Sequence, residues 1–336
     1  MITISIIIPT LNRADTLKAT LTSILIQNDL NGVEVIVIDN GSTDNTLEVY
    51  NEFAESKKLS SYYQNDPEPG LLTGRHLGAS LAKGSILCFL DDDVELAETW
   101  LQGVRNSFTD EEVQISTGPC IPKYLSAPPE WLKYFWTNTE SGKYCDWLSL
   151  IDLGDKKFFT HPNYALGLNF CIRKDALISL GGFHPDCMPS TLQMYQGDGE
   201  TGLTLKAYRQ NYKCLYHPEI KLFHFVASQR LTIEYFKKRA FFQGVCNSFS
   251  ELKEQSSLVQ RKVRYRAIIK IIVSRIKITF TPNKKNDVPS EIRELKALFK
   301  REEKKGFNFH QQAYQRNEIV RNWVHKKDYW DYKLPV

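Results

Sequence analysis

Residues 84–94 read Gly-Ser-Ile-Leu-Cys-Phe-Leu-Asp-Asp-Asp-Val, an apolar run that ends in three consecutive carboxylates. An apolar run of this length fits a strand that is buried on both faces. Asp91, Asp92 and Asp93 then follow its carboxyl end, where open α/β sheets bind ligands. Two carboxylates about 4 Å apart repel each other by roughly 4 kcal/mol at an effective dielectric constant of about 20. A hard divalent cation is the usual compensation, although a solvated acidic turn that caps the next helix also fits an isolated triplet.

The first hundred residues alternate between two hydrophobic patterns. Apolar runs predict strands over 4–8, 33–38 and 85–90. Helical spacing of apolar residues predicts helices over 17–25, 47–54 and 71–83. This alternation predicts the α/β class, with a doubly wound, mixed but mostly parallel sheet, right-handed crossovers and flanking helices.

Later segments have weaker patterns. Five prolines and a group of aromatic residues predict a long irregular excursion over 119–165, which is typical of a binding loop on a scaffold. Further strands are predicted within 163–173 and 212–225, with a helix near 200–209 between them. From residue 232 onward the pattern is helical, with a polar break over 281–290, so we expect a C-terminal helical extension.

Composition and charge restrict the class of protein. The chain has 336 residues, of which 42% are hydrophobic, and it has no apolar stretch of the roughly 20 residues that span a bilayer. The start has no basic leader, and the seven cysteines form no C-x-x-C pair, so we expect a cytoplasmic protein with reduced thiols. Residues 1–229 carry 18 Lys and Arg against 28 Asp and Glu, whereas residues 230–336 carry 25 against 11. A basic tail on an acidic body indicates an anionic partner for the tail.

Three predicted strands end in polar residues, at Thr10, at Asp39 and at the acidic triplet. The carboxyl ends of parallel strands meet at one edge, so these residues should surround one crevice. Asp39 can accept the imide hydrogen of a uracil-type base, and Gly41 allows close backbone approach. The alternative is that Asp39 and Asp44 only order the turn and cap the next helix. Arg75 is predicted near the same edge, where its cation can meet a diphosphate or remain exposed to solvent.

These motifs together resemble the family-2 glycosyltransferases, which are inverting enzymes with the GT-A fold that use nucleotide-activated sugars. The resemblance covers roughly residues 3–225. Its matching segments are Ser-Ile-Ile-Ile-Pro-Thr-Leu-Asn-Arg (5–13), Val-Ile-Val-Ile-Asp-Asn-Gly-Ser-Thr-Asp-Asn-Thr (35–46), Gly70 with Arg-His-Leu-Gly (75–78), Phe-Leu-Asp-Asp-Asp (89–93), Gly-Leu-Asn-Phe-Cys-Ile-Arg (167–173) and Gly-Gly-Phe (181–183).

The resemblance implies a nucleotide-sugar site with a metal ion. It assigns the metal ligands, for Mn²⁺ or Mg²⁺, to Asp93 with Asp91, and His224 falls where relatives place a histidine that reaches the metal or the diphosphate. A core role is the alternative for His224. Asp91 approaches the ribose or the metal. The residues assigned to the donor are Pro9, Thr10, Asn12, Arg13, Asp39, Gly41, Arg75, Asp91 and Asp92.

An inverting transfer needs a base that takes the proton of the attacking hydroxyl. The family usually provides it from a Gly-Glu-Asp-x-Glu/Asp segment, and this chain has Gln-Gly-Asp-Gly-Glu at 196–200. Asp198 therefore matches the base, with Glu200 as the second candidate and a helix cap as the alternative role. Gly197 replaces the usual Glu, and His184 departs from the more frequent Gly-Phe-Asp-Glu, so both departures concern the acceptor side.

We therefore expect a catalytic domain over 1–228, with a nucleotide-sugar half (1–118) and an acceptor half (119–228), and a basic helical region over 229–336. Aromatic residues of 131–147 either stack on an acceptor sugar or form a local hydrophobic cluster. Residues 261–280 are basic and amphipathic, so they either lie on an anionic membrane surface, which indicates peripheral attachment at the inner face, or pack on the catalytic domain. No recognised module indicates nucleic acid as a partner.

The predicted function is a metal-dependent inverting glycosyltransferase that moves one hexosyl or N-acetylhexosaminyl group from a nucleoside-diphosphate sugar, UDP favoured, to an acceptor hydroxyl. We expect a glycan or lipid-linked acceptor in surface polysaccharide or glycan assembly. Processive synthesis is disfavoured because the Gln-x-x-Arg-Trp signature is absent. An aspartyl-phosphate phosphohydrolase and a dinucleotide oxidoreductase fit the motifs poorly. The alternative is a degenerate nucleotide-sugar-binding scaffold at the membrane surface.

Overall fold

The computed structural model describes residues 2–66, 68, 70–259 and 288–330. The chain forms two compact units, one from Met1–Tyr235 with Lys327–Val336 and one from Phe236–Lys326, as far as these residues are described. The domain division predicted at 228/229 stays a prediction. The basic segment 261–280 lies outside the described residues.

The first unit is built from fourteen strands and six complete helices in the part of the chain that the structure describes. The strands are β1 (Ile4–Thr10), β2 (Val33–Asp39), β3 (Ser60–Asn65), β4 (Ile86–Leu90), β5 (Val94–Leu96), β6 (Val113–Thr117), β7 (Cys120–Tyr124), β8 (Thr137–Asn138), β9 (Lys143–Cys145), β10 (Leu150–Asp152), β11 (Phe158–Thr160), β12 (Asn169–Arg173), β13 (Lys213–Tyr216) and β14 (Leu222–Val226). The helices are α1 (Ala14–Leu25), α2 (Thr46–Glu55), α3 (Leu71–Leu81), α4 (Trp100–Phe108), α5 (Lys174–Ser179) and α6 (Gly199–Arg209). Short 3-10 helices cover Glu130–Phe135, Asp146–Leu148, Pro162–Tyr164, Ser190–Tyr195 and Ser228–Leu231.

An eight-stranded mixed sheet forms the centre of this unit, in the order β11-β13-β6-β12-β4-β1-β2-β3. Strand β1 pairs in parallel with β2 and β4, and β2 pairs in parallel with β3. Strand β12 is antiparallel to both of its neighbours, β4 and β6. Every residue of β1, β2 and β4 is buried, as continuous apolar runs predict for strands covered on both faces. The predicted α/β class with a mixed, mostly parallel sheet is confirmed.

The register of the parallel strands brings their polar ends to one edge. Thr10 lies opposite Asp39 across the β1–β2 pair, and Asp39 lies opposite Asn65 across the β2–β3 pair. The acidic triplet follows β4 directly, next to β1. The convergence that the sequence predicted therefore takes place at this edge.

A second, six-stranded sheet has the order β5-β14-β7-β10-β9-β8. The prediction of an irregular excursion over 119–165 was wrong in part, because β7 to β11 lie in that segment. These strands have two to five residues, too few for an alternating pattern to be recognised. The predicted strand over 163–173 begins only at Asn169, and 212–225 holds two strands that belong to different sheets.

The second unit contains most of helix α7 (Ile233–Val259), together with α8 (Ser290–Arg316) and α9 (Glu318–His325). Two glycines bring α7 and α8 into backbone contact. A Cβ atom on Gly244 would lie 1.9 Å from the Glu303 carbonyl oxygen, and one on Gly306 would lie 1.9 Å from that of Phe241. The helical prediction for the C-terminal region is confirmed for these described residues. None of the helices described is long and apolar enough to cross a membrane.

Candidate active site

Thr10 and Arg13, at the end of β1 and just before α1, both bind the acidic triplet. Thr10 Oγ1 donates a hydrogen bond to Asp92 Oδ2 at 2.7 Å. Arg13 Nη1 donates to Asp92 Oδ1 at 3.0 Å and to Asp93 Oδ2 at 2.8 Å. Burial raises the pKa of Asp92 to about 7, although the charge of Arg13 opposes that rise. One guanidinium group thus bridges two neighbouring carboxylates.

His224 reaches Asp93 because β14 runs antiparallel to β5, with His224 opposite Val94. The imidazole Nε2 lies 3.5 Å from Asp93 Oδ1. Arg230, in the 3-10 helix after β14, places Nη1 2.8 Å from His224 Nε2 and 3.2 Å from Asp93 Oδ2. Burial alone would raise the pKa of Asp93, but the charges of Arg230 and Arg13, which both donate to Oδ2, lower it below its usual range. Asp93 is therefore a carboxylate at neutral pH.

Arg75 of α3 lies between two carboxylates from distant parts of the chain. Its Nη1 donates to Glu200 Oε2 at 3.1 Å, and its Nη2 lies 3.5 Å from Asp91 Oδ1. The Arg75 side chain is only 3% exposed, and its guanidinium lies over the ring of Phe183. Burial lowers the pKa of Arg75, but Glu200 and Asp91 more than offset this effect. Arg75 is thus a buried cation that joins the triplet to the start of α6, where the base was predicted.

The end of β2 forms a rigid turn around Asp39, which is 2% exposed. Asp39 Oδ1 accepts a hydrogen bond from the backbone N–H of Ser42 at 2.8 Å, and Oδ2 accepts one from the hydroxyl of Tyr63. Burial and this bond raise the pKa of the Tyr63 hydroxyl. Gly41 has a φ of +92°, so it takes a conformation that favours glycine. Asp39 therefore does order the turn, as the sequence allowed. Its carboxylate still has lone pairs that can accept a hydrogen bond from a nucleobase.

Asn12 and Asp44 connect the loops after β1 and β2. Asn12 Oδ1 accepts a hydrogen bond from the Thr43 N–H at 2.8 Å. Asp44 Oδ2 accepts one from the Ala14 N–H at 3.0 Å, at the first residue of α1. Pro9 contacts α3, since a Cβ atom on Gly74 would lie 3.1 Å from its own Cβ. These contacts fix the loops that line the crevice.

Asp198 precedes the first residue of α6 and is paired with His184. His184 Nδ1 donates a short hydrogen bond to Asp198 Oδ1, and both side chains are at least 95% buried. The ring of Tyr329, from the returning segment after residue 326, packs at 5.5 Å against His184. A Cβ atom on Gly202 would lie 2.1 Å from His184 Nδ1, so glycine is required for this packing. Glu200 is different, because 30% of its side chain is exposed.

A cavity of about 660 Å³ opens beside Asp93. Polar and charged side chains form one part of its wall, including Asn12, Arg13 and Arg230. Leu125 and Phe225 form an apolar part, and Leu125 is 58% exposed. The aromatic residues of 131–147 form a local cluster, in which the ring of Phe135 packs edge-to-face against Trp131 and Trp147. The cavity has the size of a small-molecule site.

Comparison with known proteins identifies the family. The model of glycosyl transferase family 2 matches residues 5–180, more than half of the chain. The chain belongs to glycosyl transferase family 2. Glycosyltransferase AglE of Haloferax volcanii is 25% identical over 181 residues, which are 54% of this chain and 55% of that protein. The chain thus matches about half the length of this curated relative.

Two solved structures have a similar fold. They are the mannosyltransferase PcManGT from Pyrobaculum calidifontis in complex with GDP-Man and Mn²⁺, and TarS 1–349 from S. aureus. The first is 17% identical with a TM-score of 0.51, over 93% of this chain and 74% of that one. The second is 13% identical with a TM-score of 0.50, over 94% and 92%. These values confirm the GT-A type of fold that the sequence resemblance implied.

The donor atoms beside the triplet fit a divalent cation in part. Among the described residues, no group of three or more His, Cys, Asp and Glu side chains could hold a metal ion. Two donors do suit one: Asp93 Oδ1 is buried and accepts no hydrogen bond, and His224 Nε2 faces it. Mg²⁺ and related ions commonly use one or two protein ligands and take the others from substrate phosphates and water. A family-2 enzyme could therefore complete this site with the donor's diphosphate.

Several contacts of this family-2 site were not predicted from the sequence. The bridging role of Arg13, the partner Tyr63 and the positions of Arg230 and Tyr329 depend on tertiary contacts between distant segments. Arg230 is six residues after His224, and an arginine so close to a predicted metal ligand was the one signal available. Direct contacts join eight of the predicted residues: Asp91, Asp92, Asp93, Arg75, Glu200, Thr10, Arg13 and His224. The contacts described above for Asp39, Asn12 and Pro9 lie in the loops after β1 and β2 and at α3, and that of Asp198 is with His184.

Proposed function

We propose that this protein is an inverting glycosyltransferase that transfers one sugar from a nucleoside-diphosphate sugar to an acceptor hydroxyl. Membership of family 2 supports the reaction class. The observation that carries the proposal is the meeting of Asp93, His224 and two arginines beside a cavity at the carboxyl edge of the sheet. Carboxylate, imidazole and guanidinium groups together can hold a diphosphate and its counter-ion. A glycan or lipid-linked acceptor in surface polysaccharide or glycan assembly remains part of the proposal.

The nucleobase of the sugar donor would be held at the end of β2. Asp39 is buried, its orientation is fixed by Ser42 and Tyr63, and an acceptor-only carboxylate can take an imide hydrogen. This chemistry favours UDP among the common nucleotides. GDP is the second candidate, because the similar fold of PcManGT was solved with GDP-Man.

Asp93 and His224 would hold Mn²⁺ or Mg²⁺, which would neutralise charge on the departing nucleoside diphosphate. Arg13 would keep Asp93 oriented through its hydrogen bond to Oδ2.

Two carboxylates are candidates for the catalytic base that takes the proton of the acceptor hydroxyl. Asp198 matches the family motif but is almost fully buried against His184, whereas Glu200 is 30% exposed beside Arg75. We therefore propose that Glu200 shares the base role assigned to Asp198, and that separate Asp198→Asn and Glu200→Gln variants distinguish the two.

Thermal unfolding with added nucleotides tests this proposal. The protein is heated with UDP, dTDP, GDP or CMP, each with and without Mn²⁺, and the same is done for Asp93→Asn. A ligand at 100 times its Kd stabilises a protein by about 2.7 kcal/mol, so one nucleotide should raise Tm visibly in the presence of Mn²⁺. Asp155→Asn is the matched control, because Asp155 is an exposed loop residue. A shift that survives in Asp155→Asn and is lost in Asp93→Asn supports the donor site.

The absence of any shift with all four nucleotides would contradict the donor site. A shift without turnover of any nucleotide sugar would instead favour the second candidate, a nucleotide-sugar-binding scaffold. The proposed membrane contact is tested separately, by sedimentation with vesicles that contain anionic lipid, for the full chain and for a variant with neutral residues in 261–280. Equal sedimentation of both proteins would contradict a role of this segment in membrane binding.

A further inference from the structure

The imidazole of His224 has one lone pair available on Nε2, and Arg230 already occupies it. A guanidinium group can only donate, so the 2.8 Å contact between Arg230 Nη1 and His224 Nε2 makes this nitrogen the acceptor. His224 therefore carries its ring proton on Nδ1. A metal ion would bind through the same lone pair. The hydrogen bond from Arg230 and a metal bond to His224 exclude each other.

Asp93 divides its two oxygens in a matching way. Oδ2 accepts from Arg13 at 2.8 Å and from Arg230 at 3.2 Å, whereas Oδ1 is buried and accepts no hydrogen bond. Arg13 can thus stay on Oδ2 while a cation approaches Oδ1 and His224. Arg230 cannot stay, because its nitrogen lies within 3.2 Å of both side chains that would bind the cation.

Arg230 has room and an anchor for such a movement. It lines the cavity of about 660 Å³ beside Asp93, and its side chain is 21% exposed. Its Nε donates to the hydroxyl of Tyr235 at 3.2 Å, and because the guanidinium group is planar and rigid, it would pivot as one unit about this contact. A guanidinium group that faces a cavity next to a metal is well suited to a diphosphate, which it binds through paired charge-assisted hydrogen bonds.

We propose that Arg230 is a resident cation of the donor site: a divalent metal displaces it from His224 and Asp93, and the displaced guanidinium then binds the diphosphate. This inference rests on the proposed function, since it assumes a metal and a diphosphate in this cavity. The inference adds Arg230 to the residues of the donor site and gives the order in which the ligands act. We expect the metal to bind weakly to the nucleotide-free protein and strongly together with a diphosphate. In the absence of both ligands, Arg230 compensates part of the negative charge of Asp93.

Binding of Mn²⁺ alone to the nucleotide-free protein tests the displacement, with electron paramagnetic resonance as the readout. Arg230→Met should bind Mn²⁺ about tenfold more tightly than the wild type or better, because one hydrogen bond from a charged group no longer has to be broken. Arg230→Lys keeps the charge and should stay closer to the wild type. Arg301→Met, at an exposed position of α8, is the matched control for the loss of one charge. Asp93→Asn should abolish the binding in every background.

Inorganic pyrophosphate is the probe for the second step. With Mn²⁺ saturating, Arg230→Met should bind pyrophosphate about tenfold more weakly than Arg301→Met. An affinity for Mn²⁺ that is no higher in Arg230→Met than in the wild type would overturn the displacement, even if nucleotide binding is intact. An unchanged affinity for pyrophosphate would overturn the role of the displaced guanidinium. Equal binding of Mn²⁺ by Asp93→Asn and the wild type would contradict the metal site at Asp93, and with it this inference. The nucleotide-dependent changes in Tm test the proposed function independently.

Discussion

Replacement of Arg75 by Met removes the one cation that lies between Asp91 and Glu200 in the described part of the site. Its Nη1 donates to Glu200 at 3.1 Å and its Nη2 lies 3.5 Å from Asp91. The guanidinium is 3% exposed, whereas the two carboxylates are 34% and 30% exposed. Methionine fills much of the space above Phe183 but provides no charge. The two carboxylates then lose the cation that they share.

The magnitude follows from the burial of each partner. Loss of one partner from a fully buried ion pair costs about 3–5 kcal/mol, because the remaining charge stays desolvated. Here the remaining carboxylates are each about a third exposed, so water compensates part of the loss. We therefore expect Arg75→Met to lower the free energy of unfolding by about 3 kcal/mol. Lys18→Met is the matched control: Lys18 and Glu52 form an ion pair at 2.7 Å in which both side chains are about 60% exposed, so its loss should cost about 0.5 kcal/mol or less.

Urea unfolding of a double-mutant cycle with Glu200→Gln is the assay. In the wild type, Glu200→Gln should destabilise the protein, because it removes a partner of Arg75. In the Arg75→Met background the same change should stabilise it, because it removes a like charge that acts on Asp91. The sign of the Glu200→Gln effect should thus reverse between the two backgrounds. Equal effects in both backgrounds, or a cost of Arg75→Met no larger than that of Lys18→Met, would refute this account of the buried cation.

Two further predictions concern packing and pH. Gly202→Ala should lower the free energy of unfolding by about 1–3 kcal/mol in urea, although alanine has the better helix propensity. The reason is that the new Cβ would lie 2.1 Å from His184 Nδ1 and 2.3 Å from Asp198 Oδ1. A stabilised variant would contradict the tight packing of Gly202 against His184 and Asp198. Burial lowers the pKa of His310 from 6.5 to about 4. Between pH 6.5 and pH 4 this histidine is therefore protonated in the unfolded state but neutral in the folded state, and the folded state loses stability as the pH falls. The stability of the wild type should therefore fall by about 1.4 kcal/mol per pH unit more steeply than that of His310→Gln over this window, and parallel pH profiles would contradict the prediction.

Three strands of the first ninety residues, β1, β2 and β4, were readable because they are buried on both faces, whereas the polar and partly exposed β3 was not predicted. Continuous apolar runs such as 86–90 occur only where helices cover the sheet on either side, so pattern and structure agree there. The segment 119–165 has no such pattern, since its strands have only two to five residues each. Its prolines and aromatic residues indicated a loop, and main-chain pairing in the second sheet was decided by tertiary contacts.

The candidate site was predicted for its residues more than for their contacts. Local motifs pointed to the acidic triplet, to Arg75 and to His224, and the structure brings Arg75 to Asp91 and His224 to Asp93. The pairing of each carboxylate could not be predicted, because it depends on which side chain reaches it from a distant segment. Arg13, Arg75 and Arg230 come from three such segments: Arg75 reaches Asp91, whereas Arg13 and Arg230 both bind Oδ2 of Asp93. The predicted base Asp198 shows the same problem, since its burial depends on His184 and on a segment more than a hundred residues away.

The arginines change the electrostatic argument that began with the triplet. Repulsion between the three carboxylates was the reason to expect a metal, yet three guanidinium groups already offset part of it in the described structure. We therefore expect the nucleotide-free fold to hold without a metal, and a metal to matter most when a diphosphate adds two or more negative charges to the cavity. Metal binding and donor binding should then be coupled, since each supplies the charge that the other lacks. Removal of divalent ions with EDTA should leave the Tm of the nucleotide-free protein unchanged, and a marked fall in that Tm would show that the arginines do not compensate the triplet.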